Sequence, residues 1–303
     1  MTRFVLSVDG GGIGGIVAGR VLSALESRTG PLYRAFDLIC GTSTGGIIAL
    51  MLAHQKRYPA RQVTRLYTQF GKTIFRRSLL SRVLDQFGLF APQYGEGNIE
   101  AVLQHFMGDY VIASATTEVA VTTFNMATGR AELLTNRNSQ MKMWQAARAT
   151  SAAPTYFPPF GPYIDGGIAA NNPAAFAASY ARSLWPKDQI FVVSVGCGRA
   201  VTTAEPIDAK TWGALDWLKR ITQFFMQGSM SSASEEAASA LGENYVRIQE
   251  PLDGPSGRMD DASASNLEAL VKFGDEVVQK NGGKLDRISS AIKENNRQRT
   301  SPG

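Results

Sequence analysis

The chain has 303 residues, 44% hydrophobic and 19% charged, which excludes a disordered or collagen-like polymer and allows one large domain or two small ones. Its net charge is +5, from 31 Lys and Arg against 26 Asp and Glu: no nucleic-acid signature, but a bias that suits an ordinary basic protein or one that approaches an anionic lipid surface or ligand. No run approaches the ~18 apolar residues that span a bilayer, and two cysteines, Cys40 and Cys197, make neither a disulfide framework nor a zinc site.

Residues 4–8 form a short apolar run ending at Asp9 and a glycine cluster, which predicts a buried strand and a turn. Val17, Val21, Leu22 and Leu25 then recur at helical spacing until Gly30-Pro31. Residues 36–40 predict a second buried strand, and residues 47–53 a second helix. Strand, tight turn and helix, twice over, predict an α/β fold with a parallel core. Residues 57–100 read as irregular, a cap on the sheet. Residues 118–125 alternate like a strand, 140–150 read as a helix, and 190–195 predict a third strong strand. Residues 212–227 and 266–280 read as amphipathic helices, the second with a capping box of Ser265 and Glu268. The segment from Asn295 is polar and expected to fray, so the folded domain is set at 1–290 and a tail at 291–303. The first nine residues are charged too early for a signal peptide, and with so few cysteines a reducing cytoplasm is the expected setting.

Two glycine-rich turns carry the chemistry. Gly10-x-Gly12-x-x-Gly15 fits the dinucleotide fingerprint between a strand and a helix. Two features oppose that reading: Asp9 would place a negative charge beside a pyrophosphate, and the second strand ends in Gly41-Thr42-Ser43 where an acid is required. The same glycines expose backbone N–H groups at a helix start, which suits a developing oxyanion; a loop that merely turns is the plain alternative. Gly41-Thr42-Ser43-Thr44-Gly45 is G-x-S-x-G between a predicted strand and helix, the setting of a nucleophile elbow. Ser43 is the candidate nucleophile, with helix capping as the alternative role.

A serine needs a base. His54 lies eleven residues along the same predicted helix, roughly 16 Å away at 1.5 Å per residue, and His105 sits in an apolar helical stretch; no histidine follows. The candidate left is Asp165, in Asp165-Gly166-Gly167. Partial burial would raise its pKa from about 3.9 toward that of a useful base, and a plain turn aspartate is the competing reading.

Three motifs in order, Asp9-Gly10-Gly11-Gly12, Gly41-Thr42-Ser43-Thr44-Gly45 and Asp165-Gly166-Gly167, resemble the patatin-like phospholipases. The resemblance extends to the stretch from Ala147 to Phe157, to Tyr245-Val246-Arg247-Ile248-Gln249 and to Met259-Asp260-Asp261-Ala262-Ser263, and spans residues 3–280. It implies a three-layer α/β fold with a mainly parallel sheet and a Ser43–Asp165 dyad. It also implies an oxyanion hole from Gly10, Gly11 and Gly12, and calcium-independent, cofactor-free hydrolysis of phospholipid or glycolipid acyl esters through an acyl-serine. Gly14 departs from the family, many of whose members carry Arg or Lys there; Thr44 and Arg148 are candidate supporting residues. A storage or binding protein with a vestigial site is the alternative.

Further expectations concern partners. The helix 212–227 and the basic-apolar segment 72–82 are candidates for contact with lipid, giving a cytoplasmic protein peripheral at membranes; packing on the sheet is the competing and favoured reading of the first, an ordinary surface that of the second. Some bacterial relatives are switched on by cyclic nucleotides in anti-phage defence, which makes such an activator, and a homo-oligomer, expectations that no motif here demonstrates.

Overall fold

The computed structural model describes residues 1–76, 92–199 and 213–300. The strands are β1 (Thr2–Val8), β2 (Leu38–Thr42), β3 (Glu118–Asn125), β4 (Arg130–Thr135), β5 (Tyr163–Asp165), β6 (Gln189–Val195) and β7 (Tyr245–Ile248). They form one sheet in the order β4-β3-β2-β1-β6-β7, with β5 paired to β3 beyond this path. The pairs β1–β2, β1–β6, β2–β3 and β6–β7 are parallel, whereas β4 and β5 run antiparallel to β3. The longer helices are α1 (Gly15–Thr29), α2 (Thr44–Leu52), α3 (Arg61–Ile74), α4 (Glu96–Met107), α5 (Met143–Thr150), α6 (Ala174–Leu184), α7 (Ala214–Leu241), α8 (Ala264–Lys280) and α9 (Gly282–Thr300).

The period-2 alternation of the strands explains the layers. In β1, Phe4, Leu6 and Val8 join the large core with α1, α2, α3 and α8, while Val5 faces the other way. That second face is covered by Ala174, Ala177, Ala178 and Ala181 of α6, small residues that bring the helix close to the sheet. Helices therefore cover both faces of a mainly parallel sheet, the three-layer α/β arrangement expected from the repeated strand–turn–helix pattern. Among the described residues no helix is long and apolar enough to cross a membrane.

Several local expectations differ from the structure. The stretch read as irregular contains α3 and the start of α4; the hydrophobic spacing of α3 is masked in sequence by its Arg, Gln, Lys and Thr residues. The cap of α8 is Ser263, whose side chain accepts from Asn266 N, two residues before the expected Ser265. Gly282-Gly283, just past the end of α8, opens α9. Residues expected to fray are helical to Thr300: Ile292 is buried, and Asn295 Nδ2 and Arg299 Nη2 donate to Thr2 O at 3.1 and 2.8 Å. The expected membrane-contacting helix runs on to Leu241; Trp212 and most side chains of its first turns lie outside the described residues, as does the basic segment beyond residue 76.

Because α9 ties back to β1, removing residues 291–303 should destabilise the whole domain. Loss of Ile292 and the two bonds to Thr2 is worth about 2–4 kcal/mol, a fall in melting temperature of roughly 3–6 °C by thermal denaturation; an unchanged melting temperature would show that the segment is dispensable.

Candidate active site

β2 passes directly into α2 at Ser43, whose φ of 54° and ψ of −122° are a strained conformation for a residue with a side chain. The sharp turn closes because its neighbours are glycines. A Cβ on Gly41 would lie 2.0 Å from Gly45 O, and one on Gly45 would lie 2.1 Å from Val8 O. Thr150 Oγ1 accepts from Ser43 N at 2.9 Å and donates to Thr122 O at 2.6 Å, fixing the turn to β3. All of α2 is buried, with its N-terminus directly behind Ser43.

β5 carries Asp165 to the same place, in register with Thr123 of β3. The side chain is fully buried, and Oδ1 accepts from Gly167 N at 2.7 Å. Burial pushes the carboxyl up from 3.8 to about 6, against the favourable influence of the Ser43 hydroxyl and the Gly167 N–H. The Ser43 hydroxyl thus lies close enough to stabilise the carboxylate, yet Oδ2 has no partner with full hydrogen-bond geometry. Ser43 and Asp165 line one apolar cavity with Ile47, Leu66, Ile74, Leu103, Phe157 and Met226.

The glycine loop after β1 lies against this cavity at Gly12. Gly10 departs from expectation: its N–H already donates to Asn171 O at 3.0 Å, so it is not free for an oxyanion. Among the described residues, the N–H groups of Gly11 and Gly12 have no acceptor. Gly12 adopts φ +55°, and a Cβ there would lie 2.2 Å from Met259 O. Gly14, where the resemblance leads one to expect Arg or Lys, has no room for a side chain: a Cβ would lie 2.6 Å from Cys197 O. Thr44 Oγ1 donates to Gly12 O at 2.8 Å and so receives the hydroxyl proton of Tyr67, joining elbow and loop.

Arg148 does not assist this loop. It is completely buried, donates from Nη2 to Pro158 O at 2.7 Å, and approaches Glu100 at 3.5 Å. His54 is buried with Nε2 against Met107 O and Nδ1 accepting from Lys56 N, while His105 packs on Phe70 and Phe106. Both imidazoles are committed elsewhere.

Sequence reasoning missed the supports. Arg247 on β7 grips the fully buried Asp9 through two parallel hydrogen bonds, one of them 2.8 Å, and Nη1 also reaches Ser194 Oγ at 2.7 Å. Burial pushes the Asp9 carboxyl up and Arg247 pulls it back; the two-pronged bond requires the ionised form. The signal was present: an acid at the end of a buried strand needs a cation, and Arg247 is the basic residue inside a short strand. Thr150, Tyr67 and Asn171 gave no comparable signal.

A strained serine on a parallel sheet, beside a buried carboxylate and free amides, is the layout of a serine acyl hydrolase. The comparisons narrow that class. Residues 6–178 match the family model of patatin-like phospholipase. Patatin group J-1 and Patatin-08 of Solanum tuberosum are each 32% identical over 91% of this chain and 84% of their own. The chain belongs to the patatin-like phospholipase family, which supports lipid acyl hydrolysis as its activity. VipD from Legionella pneumophila is a distant structural likeness, 12% identical with a TM-score of 0.37 over 90% of this chain and 67% of that one.

The buried Asp165 costs stability wherever it is ionised. Its native pKa is raised, so its favourable contribution is full below about 3.8 and lost as pH rises through about 6. Asp165→Asn should therefore gain stability relative to the parent as pH rises from 4 to 7, by about 3 kcal/mol at most. Urea unfolding at a series of pH values reads this; a difference that stays constant with pH would contradict a raised carboxyl.

Proposed function

We propose that this protein hydrolyses acyl esters of phospholipids or glycolipids with Ser43 as nucleophile and Asp165 as its only base. The observation that carries this reading is the strained Ser43 facing a buried carboxylate with an unpaired oxygen in an apolar cavity. Asp165 takes the Ser43 proton as Oγ bonds to the acyl carbonyl carbon. The carbonyl oxygen becomes an anion, received by the N–H groups of Gly11 and Gly12 and by the positive end of α2. The carbonyl re-forms as the C–O bond to the lysolipid alcohol breaks, and that alcohol leaves with the proton from Asp165. Water then gives a proton to the regenerated carboxylate, attacks the acyl-serine, and releases the fatty acid while Ser43 recovers its hydrogen.

A raised pKa suits this task. An ordinary carboxylate is too weak a base to act near neutrality, whereas one near 6 is still ionised there and holds a proton more firmly. Leu66, Ile74, Leu103 and Phe157 offer the acyl chain an apolar wall. The headgroup stays outside, which has the enzyme working peripherally at a cytoplasmic membrane face. A cyclic-nucleotide activator and a role in antiviral defence rest on the resemblance alone.

Ser43→Ala and Asp165→Asn should each lower fatty-acid release from phosphatidylglycerol vesicles by about 10⁴-fold or more, with an unchanged circular dichroism spectrum and with EDTA present throughout. Hydrolysis that survives either substitution would refute the dyad, and a parent that releases no fatty acid, with or without cyclic dinucleotides, would favour a binding or storage role.

A further inference from the structure

The motif Met259-Asp260-Asp261-Ala262-Ser263 takes no part in the mechanism above, yet it lies against the oxyanion loop. Met259 O accepts from Ile13 N at 2.8 Å and presses on Gly12. The next residue, Asp260, is buried; its Oδ2 accepts from the Tyr94 hydroxyl at 2.6 Å, and Arg258 reaches both its oxygens at 3.2 and 3.3 Å. The Tyr94 ring is buried among aromatic rings whose centroids lie 5.5 Å (Phe75), 5.6 Å (Phe157) and 6.4 Å (Tyr156) away. Those three residues and Met259 line the cavity that holds Ser43 and Asp165.

We infer that Tyr94 and Asp260 form a strut that positions the oxyanion loop and couples it to the aromatic wall of the acyl cavity, an inference that rests on the acyl-hydrolase reading. Asp260 fixes the Met259 carbonyl, which fixes Ile13 N and with it the adjoining Gly12 amide. A chain lying against Phe75, Tyr156 and Phe157 restrains the Tyr94 ring and so stiffens the far end of the strut. Tyr94 and Asp260 touch neither the reacting ester nor Ser43 in this scheme; they are positioning residues. Their effect belongs on kcat for long acyl chains, because a small displacement of donors at an oxyanion is costly.

The test compares p-nitrophenyl butyrate with p-nitrophenyl dodecanoate on the full chain. Tyr94→Phe keeps the ring and removes the hydroxyl that bonds Asp260. It should lower kcat for dodecanoate about tenfold with KM within about twofold, and change butyrate by less than about threefold, since four carbons make fewer contacts with the wall than twelve. Asp260→Ala should repeat this pattern, and Asp260→Asn, which keeps an acceptor for Tyr94, should recover much of the long-chain rate. Equal losses on both esters would overturn the coupling to the acyl cavity, and no loss on either would overturn the strut; both results leave the hydrolase reading standing. A parent inactive on both esters and on lipid vesicles would overturn the hydrolase reading and the strut together, and a Tyr94→Phe protein that does not fold hands the same comparison to the Asp260 pair.

Discussion

Asp165 is held out of water at the end of a three-residue strand, and its desolvation shapes what the rest of the site must do. A carboxylate in that position loses hydration that one backbone N–H restores only in part. Its second oxygen is left with the Ser43 hydroxyl as its natural neighbour. The same desolvation that destabilises the folded state near neutrality strengthens the group as a base. The two histidines lie elsewhere: His54 Nε2 meets Met107 O, and the His105 ring rests on Phe70 and Phe106.

The nucleophile turn and the glycine loop are two halves of one packed unit. Val8 O blocks any side chain on Gly45, Thr44 reaches back to Gly12 O, and Gly12 itself lies under Met259 O. With no side chains between them, the loop and the elbow approach at backbone distance. What holds the loop is supplied from late in the chain: Arg247 grips Asp9 at its start, and Met259 anchors Ile13 at its end. This gives a physical reason for motifs so far from the serine in sequence to accompany it. Position 14 is similarly constrained, since the Cys197 carbonyl fills the space a side chain would need.

How much of this was legible beforehand depended on how local the cause was. The parallel sheet followed from apolar runs each ended by a glycine turn, and the Ser43 elbow from G-x-S-x-G, because strand, turn and helix chemistry are set by neighbours in sequence. Asp165 emerged by elimination of the histidines and by resemblance. The Gly10 amide was misread because its acceptor, Asn171 O, lies 161 positions away. Arg148 was misplaced for the same kind of reason: a guanidinium goes where its partners are, here Glu100 and the Pro158 carbonyl. The C-terminal helix α9 was overlooked because polar composition hides the few buried positions, such as Ile292 and Asn295, that fix it to β1.

The claim at the centre is that a lone carboxylate removes the proton from Ser43. It is tested most directly by the rate at which a fluorophosphonate labels Ser43, measured from pH 4 to 8 in the parent, in Asp165→Asn and in His54→Gln. The account predicts a rate that climbs with pH through an apparent pKa near 6, the same climb in His54→Gln, and a near-zero, pH-independent rate in Asp165→Asn. A titration that persists without Asp165, or one that vanishes with His54, would contradict it.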